Sequence, residues 1–205
     1  MLNKGFILVV SGPSGSGKSS VVKEFLKGDP SFDISISYTT RPMRHNEVNG
    51  RDYYFVSEDT FKEMIGKSEF VEWAKVHDNY YGTSKMELER ITSSGKNVIL
   101  EIDVKGAESV KNIFRDMVVT VFIIPESFKT LELRLASRAT DSDDVIAKRL
   151  KNAKEEIEKI TLYDYVIINK DGMIEEAVES LVAICKAERL RVNRVWQNYN
   201  NYFWR

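Results

Sequence analysis

The sequence predicts an α/β fold, a parallel β-sheet core built around a phosphate-binding loop (P-loop), with helices on both faces and a mixed, β-rich insertion. Three observations predict it. An apolar strand candidate at residues 6–10 runs into a glycine-rich loop and then a helix. From residue 98 onward, short apolar runs alternate with amphipathic stretches, the rhythm of right-handed strand–helix–strand crossovers. Residues 35–84 break that rhythm with turn signals and one short helix, so they read as an insertion on one sheet edge.

Each element follows from local pattern. Residues 6–10 are all apolar and end at Ser11-Gly12-Pro13. Residues 18–27 have helical spacing and stop at Gly28-Asp29-Pro30. Residues 32–38 alternate with period two. That predicts one strand with Phe32, Ile34, Ile36 and Tyr38 on one face and Ser35 and Ser37 on the other. Asn49-Gly50 predicts a hairpin, with residues 53–56 returning. Ser57 is an N-cap candidate for a helix to residue 65, and residues 69–76 follow as a strand. Ser84 and Glu87 have capping-box spacing for a helix to about residue 91. Strands are then expected at 98–102, 118–124 and 165–168, and helices at 107–114, 130–137, 146–160 and 174–191. The expected core is residues 1–34, 85–137 and 150–191 of a single domain spanning 1–205, with a basic, aromatic tail at 192–205.

The 205 residues suffice for one sizeable core. Thirty basic and 31 acidic side chains give a net charge of −1, which offers no general attraction to nucleic acid or anionic membrane. No apolar run approaches the roughly 20 residues of a membrane span, and the N-terminus has no small-residue cleavage site. One cysteine, Cys185, excludes an intramolecular disulfide and a CxxC metal site. These features together predict a cytoplasmic protein with no membrane partner. His45 and His77 are too few and too far apart for a metal site, and Cys185 reads as helix packing.

The chemistry starts at Gly12-Pro13-Ser14-Gly15-Ser16-Gly17-Lys18-Ser19, a full match to GxxxxGK[ST] between a strand and a helix. Glycines let backbone N–H groups turn toward phosphate oxygens, and the helix start adds its positive dipole end. Lys18 is expected to bridge the β- and γ-phosphates of a nucleoside triphosphate, and the Ser19 hydroxyl to ligate Mg²⁺. The motif leaves the phosphoryl acceptor open. Residues 37–44, Ser-Tyr-Thr-Thr-Arg-Pro-Met-Arg, set Arg41 and Arg44 beside hydroxyls. Two guanidinium groups make a clamp for a dianion, although an isolated Arg-Pro-x-Arg also suits a solvated loop. By residue type alone, Glu72 also fits a half-exposed strand carboxylate, and Tyr53, Tyr80 and Tyr81 fit core packing.

Six ordered motifs resemble the guanylate kinase family across residues 5–190. They are the phosphate loop, residues 37–44, Glu47-Val48-Asn49-Gly50-Arg51-Asp52-Tyr53, Glu69-Phe70-Val71-Glu72-Trp73-Ala74, Asn79-Tyr80-Tyr81-Gly82-Thr83, and Ile102-Asp103-Val104-Lys105-Gly106. The resemblance implies Mg²⁺-dependent transfer of the ATP γ-phosphoryl to GMP. Ser37, Arg41, Arg44, Tyr53 and Tyr81 would hold the GMP phosphate. Glu72 would accept from guanine N1–H and the 2-amino group, with Thr83 near the base and Asp103 assisting at the base or, through water, at the metal. Residues 35–84 would be the GMP-binding insertion and 138–149 a short helical lid. Arg138 and Arg149 would face the triphosphate and neutralise charge during transfer. Asn169 would lie near adenine.

The acceptor oxygen is already anionic, so no general base is needed, and closure of insertion and lid would exclude water. Three departures from the family pattern stand out: Ala139 for a frequent glycine, Glu101 for aspartate, and Asn169-Lys170-Asp171 for Asn-Asp-Asp. Two other readings compete: a non-catalytic guanylate-kinase-like interaction module, and a P-loop kinase of another phosphorylated acceptor. Intact Lys18, Ser19, Arg138 and Arg149 oppose the first. The tail aromatics Trp196, Tyr199, Tyr202, Phe203 and Trp204 are expected to dock on the domain or in a homo-oligomer rather than on nucleic acid.

Overall fold

Strand β1 (Ile7–Ser11) is buried at every position and feeds the glycine loop into helix α1 (Lys18–Gly28), in agreement with the apolar run that predicts it. The structure, a computed structural model, describes residues 5–76, 78–137 and 143–196. After α1 come β2 (Phe32–Ile34), β3 (Tyr38–Thr39), β4 (Tyr54–Phe55), α2 (Glu58–Gly66), β5 (Phe70–Val76), β6 (Asn79–Ser84) and α3 (Lys85–Ser93). Then β7 (Asn97–Glu101), α4 (Val104–Phe114), β8 (Val118–Pro125), α5 (Phe128–Ala136), α6 (Asp143–Ile157), β9 (Tyr165–Asn169) and α7 (Ile174–Arg189) alternate as the sequence predicts. The larger sheet has the strand order β2-β7-β1-β8-β9 and the smaller one β4-β3-β6-β5.

The chain forms two compact units: Met1–Val9 with Ser31–Val118, and Val10–Pro30 with Val119–Arg205. In the first, β2 runs parallel to β7 with Phe32 opposite Asn97. The small sheet lies in the same unit. Its β5 and β6 pair antiparallel, with Glu72 opposite Thr83 and Ala74 opposite Tyr81. In the second unit β8 runs parallel to β9, Val121 opposite Tyr165. There α5 packs on α6 through Leu131, Leu135 and Ala153, all at most 1% exposed, with Ile146 and Leu150 against them.

Three local expectations change. Residues 32–38 form two strands in two sheets, not one. The chain follows β7 only until the Ser35 amide bonds to Ile99 O, and Tyr38 then pairs with Gly82. The alternation breaks there, with Ser35 buried and Ile34 and Ile36 only half-buried. Asn49-Gly50 does turn, with Gly50 at φ 77° donating to Tyr53 O. But β4 lies parallel to β3, because the Tyr54 amide reaches Ser37 O and Val56 reaches Thr39 O, so no hairpin forms. Finally, half of the capping box stands. Ser84 Oγ accepts from the Glu87 amide. The Glu87 carboxylate, 1% exposed, turns instead to the Ile36 amide at 3.0 Å and to Arg90. Buried acceptors need donors, and the break between β2 and β3 leaves an amide to be satisfied.

Cys185 is buried in α7, and burial pushes its thiol up to about 12, so it packs as an uncharged side chain. Of the tail, residues 192–196 are described. Arg194 is buried and donates to Glu188, which also accepts from the Tyr165 hydroxyl at 2.6 Å. Residues 197–205, which carry Tyr199, Tyr202, Phe203 and Trp204, lie outside the described residues.

Candidate active site

The phosphate loop is shaped by what surrounds it. A Cβ on Gly12 would sit 2.1 Å from Ile123 O, and φ there is 149°. A Cβ on Gly17, at φ 83°, would meet Asn169 Nδ2 at 2.3 Å. Gly12→Ala is therefore expected to cost roughly 3 kcal/mol, from a backbone clash and a φ that side chains avoid. Calorimetry should record a fall in Tm of roughly 6–12 °C.

Asn169, 6% exposed, donates from Nδ2 to Ser16 O at 2.8 Å, so its amide holds the loop. Arg134 joins it, donating from Nη1 to Ser16 O (3.3 Å) and from Nη2 to Asn169 O (3.0 Å), while Asp171 fixes its Nε at 2.8 Å. Sequence reasoning missed Arg134, which reads there as one more charge on an amphipathic helix. Arg149 reaches the loop from α6, its Nη1 at 3.4 Å from Ser14 Oγ. Lys18 and Ser19 open α1. Arg138 and Ala139, in the expected lid, lie outside the described residues, as does His77.

Residues expected at the acceptor gather on one face of the small sheet. Opposed residues share a face and neighbours alternate. The β5–β6 register therefore puts Glu72, Ala74, Tyr81 and Thr83 on one side. The other side is an aromatic core in which Phe61 of α2 stacks on Phe70 (4.4 Å) and Tyr80 (5.4 Å), and Tyr38 stacks on Tyr54 (4.7 Å). Gly82 belongs to that side, where a Cβ would meet the Phe70 and Phe61 rings at 2.9–3.0 Å. Phe70 and Glu72, two apart, would share a face in a regular strand. A register shift between them leaves Val71 as an extra residue and sends Phe70 into the core and Glu72 to the face of Thr83 and Tyr81. Bulges re-aim side chains in this way, and no sequence signal marked this one.

Glu72 is 6% exposed. Its Oε1 accepts from Thr83 Oγ1 at 2.6 Å. Its Oε2 lies over Gly106 in the first turn of α4, so close that a Cβ there would be 2.8 Å away. Burial pushes the Glu72 carboxyl up to about 7, and the charge of Asp103 adds to the rise against the pull of Thr83. Asp103 is the N-cap of α4, its Oδ1 accepting from the Gly106 amide at 2.8 Å. This capping role sits beside the base or metal role expected from sequence.

A few residues along, Arg41 lies over the Tyr53 ring at 5.5 Å and the Phe55 ring at 5.6 Å. Tyr53 meets Tyr81 edge-on at 6.0 Å. Burial, with Glu101 nearby, pushes the Tyr53 hydroxyl up to about 12, so it stays a neutral donor. Burial works against the Arg41 charge, but Glu47 and Tyr81 more than compensate and hold it protonated. Arg44 is exposed on the same turn, and Ser37 is half-buried where the chain enters β3. The structure thus brings together Arg41, Tyr53 and Tyr81 in one cluster and Glu72, Thr83 and Asp103 in another.

A strand, a glycine loop and a helix whose first residues are Lys and Ser, carried with a face of arginine, tyrosine and carboxylate, define a P-loop phosphotransferase of nucleotides. The guanylate kinase family model matches residues 4–188, and the chain belongs to that family. It is 44% identical to the guanylate kinase of Aromatoleum aromaticum over 199 residues, 97% of this chain and 96% of that one. To the guanylate kinase of Carboxydothermus hydrogenoformans it is 46% identical over 194 residues, covering 95% and 94%. The crystal structure of guanylate kinase from Anaplasma phagocytophilum superposes with a TM-score of 0.77 at 34% identity, covering 93% of this chain and 89% of that one.

Proposed function

We propose that the chain transfers the γ-phosphoryl of ATP to GMP, giving ADP and GDP, with the donor held by residues 12–19 and the acceptor by the face around Glu72. The observation that carries this reading is the Glu72–Thr83 pair, a buried carboxylate that accepts from Thr83 Oγ1 at 2.6 Å and keeps further acceptor capacity for a ligand with two adjacent N–H donors. Guanine has such an edge in N1–H and the 2-amino group. Adenine presents an acceptor at N1, which would face the carboxylate unpaired. Arg41, Arg44, Tyr53, Tyr81 and Ser37 are all donors suited to the phosphate of GMP.

On the donor side, backbone amides of the loop and Lys18 hold the triphosphate, while Asn169 and Arg134 keep the loop in its binding shape. Arg149 and Arg138 neutralise charge as the phosphoryl group moves. The Ser19 hydroxyl is a hard oxygen donor that fits Mg²⁺ arriving with ATP. Among the described residues no group of three or more His, Cys, Asp or Glu forms a cage for it. Ser19 would hold that ion, which would supply charge neutralisation for the phosphates. The bond from γ-phosphorus to the β,γ-bridging oxygen breaks, and a bond to a GMP phosphate oxygen forms. That oxygen is already anionic, so the protein's work is alignment and charge neutralisation. Among the described residues no helix is long and apolar enough to cross a membrane, and a reaction on soluble nucleotides would suit the cytoplasm.

The reading predicts a pH dependence. Glu72 must be ionised to accept both guanine protons, and its carboxyl titrates at about 7. GMP affinity is therefore expected to fall about tenfold from pH 8 to pH 6 through this group. The GMP phosphate also gains a proton in that range. Glu72→Gln isolates the protein's share, since its weaker GMP affinity should keep only the ligand's own slope. Calorimetric titration with GMP at each pH checks this; an identical slope in both proteins would remove Glu72 from base recognition.

A further inference from the structure

We infer that Glu47 is a positioning residue of the acceptor-phosphate clamp, acting through Arg41 and through the turn that carries Arg44. This rests on the proposed function, since it concerns the same acceptor face. Glu47 touches both members of the clamp with different oxygens. Its Oε1 accepts from Arg41 Nη2 at 2.7 Å, and its Oε2 accepts from the Arg44 amide at 2.8 Å. Its own amide donates to Arg44 O at 3.0 Å, closing the turn from 44 to 47. The side chains of Arg41 and Glu47 are 14% and 17% exposed.

The surroundings make this pair a device for aiming rather than a surface ion pair. An exposed pair would be mobile and weak, whereas this one is covered and anchored on both sides. Downstream, Asp52 Oδ2 accepts from the Val48 amide and Asn49 Oδ1 from the Phe55 amide, so the backbone carrying Glu47 is pinned. Arg41 in turn gives Nη1 to Pro42 O at 2.7 Å and lies over the Tyr53 and Phe55 rings. Its guanidinium plane is thereby fixed from three sides, with Tyr81 as a further partner, and a guanidinium with five N–H groups still has donors for an anion. Burial raises the Glu47 carboxyl, but the bonds from Arg41 and Arg44 outweigh it and hold the group below the ordinary carboxylate range. Without Glu47, Arg41 would have to be ordered by the substrate itself, which weakens binding.

The test is steady-state kinetics of Glu47→Ala and Glu47→Gln, with Tm and an NMR record of the Arg41 Nε–H resonance. Glu47→Ala is expected to raise the KM for GMP about tenfold while the KM for ATP and kcat change less than about twofold. Glu47→Gln, which keeps an acceptor, should fall between it and the wild type. The Arg41 resonance should be sharp in the wild type and broadened in Glu47→Ala at unchanged Tm. An unchanged KM for GMP, an equal rise in the KM for ATP, or a KM shift that appears only with a lowered Tm would each overturn the inference. Should Glu47→Ala fail to fold, Glu47→Gln and its resonance decide. If the wild type phosphorylated another nucleoside monophosphate instead of GMP, the proposed function would fall. The same KM comparison with that acceptor would still judge Glu47, which addresses the phosphate and not the base.

Discussion

Glu72→Gln is expected to lower kcat/KM for GMP by roughly 10²- to 10³-fold, with the KM for ATP unchanged. The substitution keeps the shape and the bond from Thr83 but replaces one carboxylate oxygen with an amide donor. That donor then faces guanine's own N–H groups. The lost charge-assisted bond and the new donor–donor conflict together are worth roughly 3–4 kcal/mol. Stability should move the other way. The folded-state carboxyl, at about 7, titrates above its ordinary value of 4.5, so the native state binds the proton more tightly than the unfolded chain does. Ionising Glu72 therefore costs native stability as pH rises from about 4.5 through 7, and the full cost is present above 7. Glutamine carries no such cost, so at pH 8 its Tm should equal or exceed that of the wild type. Loss of GMP turnover at a raised Tm separates lost recognition from unfolding. A rise in the KM for ATP matching that for GMP would contradict the assignment.

Lys18→Ala is expected to cut kcat by roughly 10³-fold or more, because on the proposed reading the side chain would meet charge that develops on the moving phosphoryl group. Lys18 opens α1 and is half-buried, and it belongs to a different compact unit from the aromatic core and Glu72. GMP affinity, measured by titration in the absence of ATP, should stay within about twofold of the wild type. Rapid-quench measurement of a single turnover would show whether the step lost is transfer itself. Turnover retained at the wild-type rate would mean that the loop does not hold a triphosphate.

How far the sequence carries the account depends on the range of each interaction. The phosphate loop was legible because its glycines, lysine and serine are contiguous and their reason is local. Its supports were not. Nothing near Arg134 in the chain announces that its guanidinium will bond Ser16 O, and Asn169, expected at adenine, spends its amide on the same carbonyl. Strands, helices and the caps at Ser57 and Ser84 followed from spacing. The split of residues 32–38 did not, because period two only says that alternate residues face alike. Which sheet they join is set by Ile99, Glu87 and Gly82, far away in sequence. Likewise the bulge at Val71, which turns Glu72 toward Thr83, needs the β6 register to exist at all. Glu72 itself was found through the family resemblance; as an isolated strand carboxylate it carries no local mark.

The most direct measurement is a coupled assay offering ATP with GMP, AMP, CMP or UMP in turn to the purified protein. The account predicts efficient phosphorylation of GMP, with AMP and the pyrimidine nucleotides lower by about 10⁴-fold in kcat/KM, the discrimination open to a site that pairs buried acceptors with substrate N–H groups. AMP turned over as well as GMP, or GMP left unphosphorylated while another acceptor is consumed, would contradict it.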